Sequence, residues 1–270
     1  MRTDPFSFWS LRFKPHLCAL IALPFLITSS LSGEWLLPHN SDFEFVNQRK
    51  AVRNSCGPAS LLNAFGSGSE AYHQAYLQIP GTTDNARVAS VIKSFGFSPS
   101  SNLASRKRWT EDSGVNFPDL ALMAQEMAQL APSTSRIRSE LHFFSTTRQQ
   151  AKALSTVHKQ LSKSMKRGLP PILSIRRFTW QNQTWQSVYG HFVVLVAIPE
   201  KFPRKATSFP VAFLDSEGSK VYQAEITLAS PTDSALPCLQ LSCPSNKIGQ
   251  AFVPSGNVHT LGLTGVIGTW

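Results

Sequence analysis

Three short stretches carry residue types that can act together. They are Asn54-Ser55-Cys56-Gly57-Pro58-Ala59-Ser60, Gly190-His191-Phe192-Val193-Val194 and Phe213-Leu214-Asp215-Ser216. A thiol, an imidazole and a carboxylate are the parts of a cysteine-nucleophile site, in which the base takes the thiol proton and the acid orients the base. Pro58 has a fixed φ suited to a first helical turn. Ala59, Leu61, Leu62 and Phe65 then form an apolar stripe, and Gly66 is expected to stop the helix in a left-handed conformation. Cys56 is thus placed at a helix N-terminus, where open N–H groups and the macrodipole favour an anion. Such a position lowers a thiol pKa from about 8.5 to roughly 3.5–7.5. The competing readings are a buried structural cysteine and a disulfide from Cys56 to another cysteine, which would defeat catalysis.

His191 opens the run His191 to Ile198, which is apolar on both faces as a central buried strand should be. A hairpin whose loop is centred near Pro203 sets His191 directly across from Asp215. A carboxylate there accepts from the imidazole and fixes its tautomer. Gln48 is a candidate side-chain donor for an oxyanion hole, together with the Cys56 backbone N–H, and Asn47 and Asn54 are alternatives.

These residues need elements to position them. Glu34 to Arg53 reads as an extended arm over the core. After the cysteine helix come a short helix to Gln78, one carrying Val88, Val91, Ile92 and Phe95, and a polar loop from Phe97 to Gly114 with an exposed or half-exposed Trp109. Pro118 opens a helix with Leu120, Met123, Met127 and Leu130 on one face, halted before Pro132, the methionines as core filler. Ile137 to Phe144 is a candidate strand. Thr147 caps the longest helix, where Leu154, Val157, Leu161 and Met165 recur at helical spacing. Its other face holds Arg148, Lys152, Lys159, Lys163 and Lys166, a solvated face, with His158 at the surface. From Pro171 onward strands dominate, and the tail from Phe252 to Trp270 is expected to close the sheet's edge. Helices first and sheet second indicate an α+β domain.

The N-terminus reads differently. Basic Arg2, Arg12 and Lys14 precede the apolar run from Leu17 to Ile27, and small residues follow to Gly33. This is the pattern of a secretory signal over 1–33, with the mature domain over 34–270, exported to the periplasm, the envelope or the medium. The run is too short, and too interrupted by Pro24, for a span of roughly 20 residues, so no transmembrane domain is expected after signal removal. Removing the leader leaves Cys56, Cys238 and Cys243. In an oxidising compartment Cys238 and Cys243 are expected to bridge and pin a surface loop. Two cysteines with no neighbouring His pair fall short of a zinc site, and no cofactor is expected. The formal charge is +10, of which Arg2, Arg12 and Lys14 against Asp4 account for +2, and the roughly +8 left to the mature chain favours anionic envelope surfaces as partners. Its dispersal, without a recognisable module, argues against nucleic acid.

Taken together, the cysteine box at 54–60, the His strand at 190–194 and the acid box at 213–216 resemble papain-like cysteine peptidases. The likeness is to the bacteriocin-processing branch, the double-glycine leader peptidases and their stand-alone relatives. That resemblance implies a helical lobe carrying the cysteine, packed on an antiparallel sheet carrying His and Asp. It implies Cys56 as nucleophile, His191 as base, Asp215 as orienting acid, Gln48 as oxyanion residue, and a peptide or protein substrate. No GxxxxGK[ST] run is present, so the exporter role of that branch, and its substrate, do not carry over. Acyl transfer of the transglutaminase-like kind, a cell-wall amidase with the same triad order, and an inactive binding module are the alternatives.

Overall fold

The computed structural model describes residues 34–270 apart from 133, 145, 203–204, 230–235 and 246. The leader, Cys18 included, lies outside the described residues. After the two-residue strand β1 (Trp35–Leu36), the arm runs without regular structure to a 3₁₀ turn at Gln48–Lys50. Helix α1 (Cys56–Gly66) starts at the cysteine itself, and α2 (Glu70–Leu77) and α3 (Asp84–Val91) follow, α3 running into a π-helical turn at Ile92–Gly96. The segment expected as a loop contains a small hairpin, β2 (Trp109–Thr110) and β3 (Gly114–Val115). Trp109 is buried within it, its Nε1 donating to Asn54 O at 3.0 Å.

Helix α4 (Phe117–Ala128) buries Leu120, Met123 and Met127, whereas Leu130, expected on the same face, lies past the helix end and is exposed. Strand β4 (Arg138–Leu141) precedes the long α5 (Thr147–Lys166). The cap of α5 is Thr146, in a capping box with Gln149, one residue ahead of the expected Thr147. The strands β5 (Ile172–Gln181), β6 (Thr184–Pro199), β7 (Ser208–Asp215), β8 (Lys220–Thr227), β9 (Leu239–Ser242) and β10 (His259–Gly268) complete the order. All the pairings are antiparallel, and the path β6-β5-β10-β9-β8-β7 returns to β6, so the sheet closes on itself. Closure changes the role of the tail. β10 lies between β5 on one side and β9 with β4 on the other, not at an edge.

Alternation along β6 divides the molecule into two apolar layers. Phe192, Val194 and Val196 pack with α1–α4. Val193, Leu195 and Ile198 pack with α5 and with Phe209, Val211 and Phe213 of β7. The stripe Leu154, Val157, Leu161 and Met165 is the buried face of α5. His158 is buried too, donating from Nε2 to Pro199 O at 2.9 Å, against the surface position expected for it. Among the described residues, no helix is long and apolar enough to cross a membrane.

Gly66 is helical, and Ser67 caps the helix in right-handed geometry, so the left-handed stop is absent. A Cβ on Gly66 would stand 2.1 Å from the Phe43 ring. The glycine is needed for that close approach of the arm.

The expected Cys238–Cys243 bridge does not form. β9 is extended between the two residues, and ~3.3 Å per residue carries them beyond the ~7 Å Cα limit for a bridge. An odd separation along a strand also turns them to opposite faces. Cys238 is a free thiol packed with Phe178 and Leu236, and burial pushes its pKa up to about 12. The Cys243 Sγ donates to Gln223 O at 3.2 Å.

Candidate active site

Cys56 is the first residue of α1 and is half-buried, with no disulfide. Its N-cap residue Ser55 makes no side-chain cap, so the first-turn amides are left open to an anion. Two buried hydrogen-bond systems hold this helix in place. Ser60 Oγ donates to Phe192 O at 3.0 Å, tying α1 to β6 one residue past His191. Asn63 grips the arm like a strand partner: its Oδ1 accepts from Val46 N at 2.7 Å and its Nδ2 donates to Val46 O at 3.1 Å. Gly57 admits Val115 of β3, whose Cγ1 would stand 2.3 Å from an added Cβ.

His191 Nε2 donates to Asp215 Oδ1 at 2.8 Å, and both residues are buried. Asp215 Oδ1 also accepts from Glu217 N at 2.8 Å, which fixes the carboxylate. The hairpin register differs from the expected one by two residues: Val194 pairs with Leu214 and Leu195 with Phe213. The ladder ends at that first pair, and His191 reaches Asp215, the last residue of β7, beyond it. A slip of two leaves each side chain on its face, whereas a slip of one would have turned the carboxylate away.

With Nε2 given to Asp215, Nδ1 is the ring atom open for chemistry. It is buried and has no hydrogen-bond partner among the described residues. The thiol and the imidazole are nevertheless coupled. Burial raises the Cys56 pKa, but the His191 imidazole, through hydrogen bonding and charge, outweighs it, helped by the backbone of Phe192 and Gly57. The net direction is down. For His191 burial favours the neutral ring, and Asp215 and Cys56 together reverse this, so its pKa is raised. Each group thus favours the charged form of the other. A contact that is loose without substrate is ordinary for such a pair. The Phe192 amide is available because the β6–β7 ladder ends at Val194 and Leu214.

The structure separates the three candidate oxyanion donors. Asn54, in a left-handed conformation, spends both Nδ2 hydrogens on Glu111 O and Asp112 O. Asn47 accepts through Oδ1 from Arg49 N and Gly218 N and serves as a turn clamp. Gln48 accepts through Oε1 from Ser216 Oγ at 2.7 Å, while its backbone N–H donates to Ser216 O at 2.9 Å. Its Nε2 bonds to no described residue, so the donor end of the amide is uncommitted next to the Asp215-Ser216 corner.

Tyr189 was not singled out from the sequence. Its ring stacks on His191 with centroids 6.0 Å apart and an interplanar angle of 23°, and Phe252 stacks on it at 4.9 Å. Burial, then the negative charges of Cys56, Glu217 and Asp215, push its hydroxyl pKa up, keeping it a donor. The signal was there: Tyr189 precedes His191 by two along a strand and shares its face. Ser60 and Asn63 were equally legible as polar positions in an otherwise apolar helix run.

Among the described residues, no group of three or more His, Cys, Asp or Glu is placed to hold a metal ion. The chain matches no family model, and comparison with curated proteins and with solved structures likewise yields no match.

Proposed function

We propose that this protein is an exported papain-like cysteine peptidase, or a close amide hydrolase, acting through Cys56, His191 and Asp215. The observation that carries the reading is the buried 2.8 Å His191–Asp215 bond beside a thiol whose pKa the same imidazole lowers. In this mechanism the Cys56 thiolate attacks the carbonyl carbon of a peptide bond. The oxyanion is met by the Cys56 N–H and Gln48 Nε2. The proton on His191 Nδ1 passes to the leaving nitrogen, the C–N bond breaks and an acyl-enzyme forms. Water then gives its proton to His191, attacks the thioester and releases the acid. Asp215 stays ionised and holds the ring.

Alkylation with iodoacetamide tests the ion pair without a known substrate. In the wild-type protein Cys56 should react fast and selectively at mildly acidic pH. In His191→Ala the rate at pH 6 should fall by about tenfold or more and climb with pH toward and past the ordinary thiol value of 9.0. The sign follows from burial, which raises the thiol pKa once the imidazole is gone. Equal pH profiles for the two proteins refute the activated thiolate and leave an inactive binding module. Release of the acyl group to an added amine in preference to water would redirect the reading to acyl transfer.

A further inference from the structure

Among the described residues, strand β4 pairs along one edge only, with β10. His142 N donates to Thr264 O at 2.9 Å, which sets the alternation. Arg138, Glu140 and His142 turn their N–H and C=O groups to β10, and Ile137, Ser139 and Leu141 turn theirs outward. Gln125 Oε1 of α4 accepts from the outward Ile137 N at 2.9 Å. The outward backbone groups of Ser139 and Leu141 meet no partner among the described residues, and both residues are exposed. An open row of this kind is a template for another strand, and folded proteins usually cover it or blunt it.

Here the edge opens into a groove of about 560 Å³ between α4 and β4. Ala121, Leu122 and Ile137 supply apolar lining, and Arg136 and Arg138 flank it. Both arginines are exposed, and neither has a carboxylate partner among the described residues. The nearby acids are engaged elsewhere. Glu140, on the same face as Arg138, is held by Gln160 Nε2, whose hydrogen bond its carboxylate accepts. Asp119 is buried under donors from Ser100 and Asn116. An unpaired strand edge, apolar side-chain room and two uncommitted guanidiniums specify one kind of occupant.

We propose that the outer edge of β4 docks an extended acidic peptide segment, which adds to the sheet as a further strand with its carboxylates on Arg136 and Arg138. The backbone bonds give affinity, and the arginines select acidic over basic sequences. The site goes beyond the peptidase reading and does not depend on the nucleophile.

The test uses full-length Cys56→Ala protein, so that cleavage cannot interfere and failure of the catalytic reading leaves the result intact. The probe is an acetylated, amidated heptapeptide alternating valine with glutamate. It should bind saturably and slow amide hydrogen exchange at Ser139 and Leu141 by about tenfold or more. The double charge reversal Arg136→Glu with Arg138→Glu should weaken binding by about tenfold, as should lysine in place of glutamate in the probe. Ser139→Pro removes an outward N–H without touching a β10 bond and should weaken it as well. Unchanged exchange at both amides under millimolar peptide overturns the proposal. So does equal affinity for the lysine peptide, or binding that survives the double reversal.

Discussion

The two nitrogens of His191 have different assignments, and this asymmetry gives the candidate site its direction. Nε2 is committed to Asp215 at 2.8 Å, and Nδ1 is the nitrogen left open, so in the proposed mechanism the proton moves through Nδ1. Gln48 has the same kind of asymmetry: its carbonyl is held by Ser216 and its NH₂ group is uncommitted. If that NH₂ group meets the oxyanion, Gln48→Ala should lower kcat by about 10²–10³. Iodoacetamide alkylation of Cys56 should stay near wild type, because displacement of iodide builds no oxyanion. The pair of measurements separates an oxyanion donor from a residue that only shapes the site. A variant with unchanged kcat would remove Gln48 from the mechanism.

At the scale of elements, α1 is a bracket between the arm and the sheet. Its outward end presents Cys56, its middle binds β6 through Ser60, and Asn63 holds Val46 and hence the chain leading to Gln48. Asn63→Ala leaves the Val46 N–H and C=O unpaired in a buried place, at about 1–3 kcal/mol per group. Thermal denaturation should show that loss. Turnover should fall as in Gln48→Ala, because the arm is released, while Cys56 should still alkylate, since its helix start and its imidazole are untouched. Loss of alkylation together with turnover would mean that Asn63 supports α1 as a whole and not the arm. The exposed Arg49–Glu217 pair at 3.2 Å spans the same junction, but an exposed pair contributes only about 0–1 kcal/mol.

At the scale of the molecule, the coupled pair makes stability depend on pH in a defined way. The Cys56 pKa is lowered from 9.0, so its contribution is complete above that value and is lost as pH falls through the folded-state pKa. The His191 pKa is raised from 6.5, so its contribution is complete below 6.5 and is lost as pH rises. Between 6.5 and 9.0 the two trends oppose each other, because a folded thiolate–imidazolium pair holds as many protons as an unfolded thiol and neutral imidazole. A scan of Tm against pH should therefore show a plateau over that window with a decline on either side. In Cys56→Ala the thiolate and its opposing trend are gone, so the plateau should be lost. Identical profiles for the two proteins would contradict the pair.

Cys56 at a helix start, the buried run that sets in at His191 and the apolar stripe of α5 were all determined by the sequence alone, although the strand carrying that run begins earlier, at Thr184. Each follows from neighbours a few residues away through φ restriction, strand alternation or helical period. The proximity of His191 and Asp215 was also legible, because an error of two in a hairpin register preserves the face. Other features depended on partners far along the chain. Ser216 holds the Gln48 carbonyl, and the Glu111–Asp112 backbone takes both amide hydrogens of Asn54. β10 became a central strand because the sheet closes on β6, and Gly66 is required by Phe43. Cys238 and Cys243 were held apart by β9, which pairs with β8 and β10. Local sterics and hydrophobic period act within one segment and can be read from it. Ring closure, side-chain commitments and distances between remote segments arise only when the layers pack, and there the tertiary structure decided.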